Sequence, residues 1–264
     1  MSDQQNFGNL LRQWRQRRRL SQLELANNTD ISTKHLSFLE NGRAAPSREM
    51  IARLAENLQL PLRQRNVLFH AGGYAHTYPA RAINDPKLQI VSEVVQSVLT
   101  GHEPNPAMAV DHHWNIVAMN RPIQALIQHI SPALLESPAN AMRIALHPDG
   151  LAPNILNFSE WRSNAIRVIK RRLEATDDSQ IATLLDEVMS YQYSDSCVLE
   201  ETCKHDETVI PFQLATPKGP INFITTTMTF GFPKDATVSE LAIECLFPSD
   251  KTSAALLHEL VREV

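Results

Sequence analysis

Apolar positions in the first seventy-odd residues recur at helical spacing. In "FGNLLRQWRQRR" Phe7, Leu10, Leu11 and Trp14 share a face, and in "SREMIARLAENLQL" Ile51, Leu54, Ala55 and Leu58 do the same. Between them Ser21 stands as a helix N-cap with Glu24 three residues on, a capping box, and Leu20 and Leu25 are placed as a hydrophobic staple. A helix is therefore predicted from Gln22 to about Asn28. The polar "NNTD" breaks it. Ser32 caps the next helix, with Ile31 and Leu36 as its staple, and this one runs to about Glu40, where Asn41 and Gly42 stop it. Pro61 opens a fifth helix that Gly72-Gly73 closes. Five short helices with a tight turn between the second and third predict a helix-turn-helix module.

Beyond Gly73 the pattern changes. "YAHTYPARAINDPKL" has no periodicity, which places residues 1–75 in one domain, a linker at 76–86 and a second domain at 87–264. "LQIVSEVVQSVLTG" predicts one amphipathic helix. Apolar runs at 106–110 and 114–119 flank the turn Asp111-His112-His113 and predict a hairpin, after which Asn120 caps a helix with Pro122 in its first turn. "FSEWRSNAIRVIKRRLEAT", with Ser159 as its cap, and "DDSQIATLLDEVMSY" predict two helices. Three strands follow: "TVIPFQLAT", with Ile210, Phe212 and Leu214 on one face, "PINFITTTMTFGF", and "SELAIECLFP", with Leu241, Ile243, Cys245 and Phe247 on one face. "KTSAALLHELVREV" predicts a closing helix. Strands, helices, then strands make an α+β layout with an antiparallel sheet.

Charge sharpens this division. Residues 1–75 carry eleven Lys/Arg against six Asp/Glu, and the rest carries fourteen against twenty-three, within a net charge of −4. A basic module joined to an acidic domain suits a nucleic-acid-facing part with a partner domain. The N-terminus "MSDQQNFGNL" lacks an apolar signal region and no apolar run is long enough to span a bilayer, so a cytoplasmic protein without membrane attachment is expected. Cys197, Cys203 and Cys245 fit neither a disulfide framework nor zinc spacing and are expected to be buried or inert. The His112-His113 pair fits a turn, and neither a metal site nor a cofactor is expected.

In the second helix of the turn, Leu36 and Leu39 share the apolar face, while Thr33, Lys34, Ser37 and Phe38 form i, i+4 pairs on the other. Phe38 has two readings: an aromatic packed on a neighbour, or an apolar side chain presented to a thymine methyl in the major groove.

These residues carry a family resemblance. "SQLELA…ISTKHLSFLENGRAAPS…IARLAENLQLP" resembles the DNA-binding domain of the XRE family, with its lambda-repressor-like fold, over about residues 7–73. The resemblance implies double-stranded DNA as partner, base edges facing Thr33, Lys34, Ser37 and Phe38, phosphates held by Gln22, Asn41 and Arg43, and an Arg15–Glu40 pair inside the domain. The chemistry agrees. Helix N-termini and amide or guanidinium groups hold phosphates, and Lys34 suits the N7 and O6 of guanine. A helix-turn-helix of this kind is expected to act as a homodimer on a pseudo-palindromic operator.

The hairpin followed by an Asn-capped helix resembles the opening of PAS sensor domains. Over about 86–260, "VDHHWNIVAMN", "ALHPDGLAPNILNFSEWR" and "TTTMTFGFP" resemble the ligand-binding domain of MmyB-type transcription regulators. That resemblance implies an apolar small-molecule effector, fatty-acid-like in some members. Trp114, Met119, Trp161, Phe223, Thr225, Met228 and Phe230 are the expected pocket residues. His147 and Asp149 in "LHPDGLAP" have turn composition without a nucleophile at fixed spacing, and no enzymatic activity is expected. The competing expectation is a C-terminal domain that only mediates dimerisation or partner binding.

Overall fold

A computed structural model describes residues 6–193 and 209–262. Cys197, Cys203 and the first residue of the "TVIPFQLAT" strand, Thr208, lie outside them. The chain divides into two compact units, one holding residues up to Arg81 together with 174–177 and 233–239, the other holding the remainder.

The N-terminal unit is built from α1 (Phe7–Arg17), α2 (Gln22–Asn28), α3 (Thr33–Glu40), α4 (Arg48–Asn57) and α5 (Leu62–Ala71). The caps of α2 and α3 are those the pattern predicts, and Ser47 adds one on α4. Ser21 accepts from the Glu24 amide at 3.1 Å while Glu24 Oε2 accepts from the Ser21 amide at 2.7 Å, and Ser32 and Ser47 cap α3 and α4. Leu11, Leu25, Leu36, Leu39, Ile51 and Leu54 are fully buried in one core. Two glycines permit this packing. A methyl group on Gly8 would stand 2.4 Å from the Glu40 carbonyl oxygen, so α1 lies directly against the end of α3. Gly42 takes φ 68°, the left-handed geometry that ends a helix. The aperiodic stretch after Gly73 is held rather than free at its start. Asn66 on α5 accepts from the Thr77 and Tyr78 amides at 3.1 and 3.0 Å and donates to the Tyr78 carbonyl at 2.6 Å.

The remainder runs α6 (Gln89–His102), β1 (Ala107–Val110), β2 (Ile116–Met119), α7 (Arg121–Ile127), α8 (Ala141–Leu146), α9 (Phe158–Thr176), α10 (Ser179–Ser190), β3 (Phe212–Thr216), β4 (Gly219–Thr229), α11 (Ala236–Glu240), β5 (Ala242–Pro248) and α12 (Lys251–Arg262). Among the described residues five strands form one antiparallel sheet in the order β2-β1-β5-β4-β3. The first hairpin turns as expected: Asp111 Oδ1 accepts from the His113 and Asn115 amides at 2.8 and 2.9 Å. No described helix is long and apolar enough to cross a membrane.

Two expectations are corrected. Ser159 lies inside α9, which begins at Phe158, rather than capping it. The residues "SE" of "SELAIECLFP" end α11, and the strand starts at Ala242. Because β5 is the central strand, both its faces are covered: Ile243 and Cys245 join α6 in one core while Ala242 and Leu246 join the helical core opposite. Phe247 keeps the face expected of it with Ile243 and Cys245, is 42% exposed near the strand end and meets the ring of His102 on α6 edge-on.

Asn120 ties these layers together. Its Oδ1 accepts from the Ala107 amide at 3.0 Å and caps α7 through the Ile123 amide at 3.3 Å; its Nδ2 donates to the Leu99 and Asn105 carbonyls at 3.2 and 2.8 Å. Asn120→Ala strands buried backbone groups on α6, β1 and α7, and we expect a loss of about 2 kcal/mol or more in urea denaturation. An unchanged midpoint would show these bonds to be dispensable.

Candidate DNA-binding face and ligand cavity

The α2–α3 turn is short because Thr29 buries its hydroxyl on the Leu25 carbonyl at 2.6 Å and Asp30 accepts φ 53°, a conformation its short polar side chain tolerates. Helix α3 is thereby stapled through Leu36 and Leu39 and keeps its other side outward. Lys34 is exposed, Thr33, Ser37 and Phe38 are half-buried, and the Lys34 ammonium sits 5.7 Å from the Phe38 ring centroid. Both readings of Phe38 therefore share one geometry: the ring packs on its own i−4 neighbour and still borders the outward face.

Behind that face is a buried carboxylate. The Glu40 side chain has no exposure, and Arg15 meets it with two bonds, Nε to Oε1 at 2.6 Å and Nη2 to Oε2 at 3.0 Å. Arg15 also donates to the Leu20 carbonyl at 2.9 Å. Burial pushes the Glu40 carboxyl up, but the bonds from Arg15 and Gln22, the charge of Arg15 and a bond from Arg12 outweigh it and hold the group below the usual range. Gln22, expected at a phosphate, gives one amide hydrogen to Glu40 Oε2 at 2.8 Å, which leaves its second hydrogen for another acceptor. Asn41 is engaged on both ends: its Oδ1 accepts from Arg12 at 2.7 Å and its Nδ2 donates to the Ser37 carbonyl at 2.8 Å. Arg43 is exposed. Arg12 is a structural partner of both Glu40 and Asn41. Sequence spacing did not reveal this, because Arg12 lies on α1 and its partners at the end of α3, twenty-eight and twenty-nine residues away.

The C-terminal unit holds a cavity of about 520 Å³ between the sheet and α7, α8 and α9. Of the expected pocket residues, Trp114, Trp161 and Thr225 line it. Met119, Phe223, Met228 and Phe230 do not. Met119 packs against the helical core beside it, Phe223 is fully buried and stacked on Phe212, Met228 points to solvent at 42% exposure, and Phe230 packs on the α6 side of the sheet. A strand presents alternate residues to opposite faces, so Met228 and Phe230 belong to the other face from Thr225 and Thr227 or lie beyond the strand end.

The walls are mostly apolar, with polar groups from Asn164, Arg167 and Arg172 on α9 and Thr225, Thr227 and Glu244 on the sheet. In the register of the sheet, Glu244 on β5 stands between Met108 on β1 and Thr227 on β4, and Thr227 donates to Glu244 Oε2 at 2.9 Å. Burial raises the Glu244 carboxyl above the usual range, against the Thr227 bond and the charge of Arg172. Burial likewise lowers Arg172, whose guanidinium carbon lies 4.0 Å from the Trp114 ring centroid and whose Nη1 donates to the His112 carbonyl at 3.0 Å. Trp114 is turned inward by φ 62° at the hairpin. Glu244 and Arg172 escaped sequence reasoning. A lone acid in the apolar "AIECLF" was a usable signal for the first, whereas "KRRLEAT" contains nothing that singles out Arg172. His147 and Asp149 lie outside the cavity lining, with His147 Nδ1 accepting from the Asp149 amide at 3.0 Å as a turn contact.

Comparison with known proteins agrees with this division. Residues 91–260 match the family model described as the MmyB-like transcription regulator ligand binding domain, and residues 6–68 match a helix-turn-helix domain. The chain is also similar to the HTH-type transcriptional repressor RghR of Bacillus subtilis (strain 168), at 31% identity over 90 residues. That alignment covers 34% of this chain and 65% of the relative, so the chain spans just under two thirds of its length.

The Glu40 network yields a stability prediction. Arg15→Ala removes the two-pronged partner of a buried carboxylate, and we expect about 3 kcal/mol of destabilisation, the lower end for a broken buried pair because Arg12 and Gln22 still reach Glu40. Thermal melts would show a large loss confined to the N-terminal unit. An unchanged melt with weaker DNA binding would instead assign Arg15 to a phosphate.

Proposed function

The chain belongs to the MmyB-like transcription regulators, and we propose that it binds a pseudo-palindromic operator as a homodimer whose affinity is set by a mainly hydrocarbon ligand in the C-terminal cavity. The family is one of transcription regulators and not an enzyme class; the chain joins a helix-turn-helix domain to a ligand-binding domain.

On the DNA side, the support is the outward row of α3. Lys34 is the guanine reader in this proposal, with a long exposed side chain in the first turn of the helix. Thr33, Ser37 and Phe38 border the same groove. Gln22 offers its remaining amide hydrogen to a phosphate, Arg43 adds charge, and Asn41 shapes the loop between them. Positioning contacts of this kind carry no sequence information, whereas base-edge contacts do.

On the ligand side, one observation carries the proposal: the cavity of about 520 Å³, walled by Trp114, Ile123, Ile127, Ile144 and Trp161, with Thr225, Thr227 and Glu244 among the polar groups in its lining. Small-molecule sites are of this size, mostly apolar with a few polar groups for orientation. An apolar body with one hydrogen-bonding end suits it. Regulation requires the ligand to bind one conformation more tightly than another, since equal affinity shifts no population.

Two experiments test the two halves. In binding to an operator library, Lys34→Ala should relax preference at one base position by about 1–3 kcal/mol, while Gln22→Ala should weaken all sequences alike. Intact base preferences in Lys34→Ala would make Lys34 a phosphate contact. For the cavity, native mass spectrometry of the purified chain should detect a lipid-sized mass whose removal changes operator affinity. Val168→Trp, which fills the cavity from α9, should abolish both the bound mass and the change. Operator affinity indifferent to every ligand removed or added would favour a C-terminal domain that only mediates assembly.

A further inference from the structure

The β1–β2 turn brings its two histidines to a pair of acids from distant parts of the chain. His113 Nε2 lies 3.1 Å from Asp178 Oδ2, and His112 Nε2 lies 3.6 Å from the same oxygen. On the other side of its ring, His112 Nδ1 is 3.3 Å from Glu240 Oε2. The imidazoles pack with centroids 3.6 Å apart, and the four side chains are only 13–17% exposed. A carboxylate oxygen of Asp111 and one ring nitrogen from each histidine also fall within 4.8 Å of one another.

A neutral imidazole has one N–H. If His112 gives its hydrogen to Glu240 through Nδ1, its Nε2 presents a lone pair toward the Asp178 carboxylate. Two electron-rich atoms facing each other in a nearly closed site call for a cation between them. We propose that this cation is a divalent transition metal of the zinc class, bound by His112 Nε2, His113 Nε2 and the Asp178 carboxylate.

The dimensions suit it. Ligand atoms around a tetrahedral zinc, with bonds of about 2.0–2.1 Å, stand about 3.3 Å from each other. The two nitrogen-to-oxygen distances bracket that value, so little movement is needed to admit the ion. Nitrogen and carboxylate donors together select zinc, cobalt or nickel over calcium and magnesium. Glu240 occupies the place of the outer carboxylate that commonly accepts the second ring hydrogen of a metal-bound histidine and fixes its tautomer. The Asp111 carboxylate, whose Oδ1 holds the turn through the His113 and Asn115 amides and whose Oδ2 accepts from Asn115 Nδ2 at 3.0 Å, leaves the fourth position to water. The site is one hydrogen bond from the ligand cavity, because Arg172 donates to the His112 carbonyl and stacks on Trp114.

The test uses the untagged full-length chain, stripped with chelator and titrated calorimetrically with zinc and spectroscopically with cobalt. One equivalent should bind, and cobalt should give the visible absorption of a tetrahedral site. Asp178→Asn keeps the cap of α10, since Asn caps as well as Asp, and should weaken zinc at least about tenfold. A His112→Gln/His113→Gln pair should abolish binding, and Glu240→Gln should weaken it about 10–100-fold with the stoichiometry kept. His147→Gln serves as the control and should leave binding unchanged. Wild-type protein that takes up no zinc, as a site occupied by a proton alone would behave, overturns the proposal. So does binding that Asp178→Asn leaves intact.

Discussion

A carboxylate taken out of water must be met by donors or by a proton, and both units of this chain are organised around that constraint. In the N-terminal unit Glu40 is met by donors. Arg15 and Arg12 come from α1 and Gln22 from α2, while Glu40 itself ends α3. One buried charge thus sets the mutual positions of three helices. Apolar contacts are non-directional, whereas a bidentate guanidinium bond has one geometry. The close approach at Gly8 belongs to the same arrangement, since it lets α1 reach the end of α3.

In the C-terminal unit Glu244 meets the constraint less completely. Thr227 gives it one bond and Arg172 lends a charge, yet burial still raises its carboxyl above the usual range. A central strand covered on both faces is an expensive place for an acid. That cost falls in the lining of a largely apolar cavity. The same arginine reaches the hairpin turn through the His112 carbonyl, so the cavity and the histidine cluster share a side chain.

The two units also differ in how their outward chemistry is held. On α3 the outward side chains are presented by a helix whose ends are capped locally by Ser32 and by the Asn41–Gly42 stop. In the C-terminal unit the lining side chains come from both hairpins, three helices and the central strand, and Trp114 reaches the cavity from a left-handed position in the β1–β2 turn.

Local hydrogen bonds and residue period were legible in the sequence alone. The capping box at Ser21–Glu24, the caps at Ser32 and Asn120, the Asp111 turn and the apolar stripes all act within four residues, so composition and spacing determine them. That was enough for the five-helix module, the antiparallel α+β layout and the outward row of α3. Thr225 does line the cavity, whereas Met228 and Phe230, grouped with it for their apolar bulk in one segment, do not, because alternation turns Met228 to the opposite face and Phe230 lies beyond the strand end. Only tertiary structure decided that Arg12 and Gln22 converge on Glu40, that Glu244 and Arg172 share a cavity, and that Asp178 and Glu240 flank a histidine turn. Each of these brings together groups far apart in the chain, and their meeting depends on how helices and strands pack rather than on any spacing along the sequence.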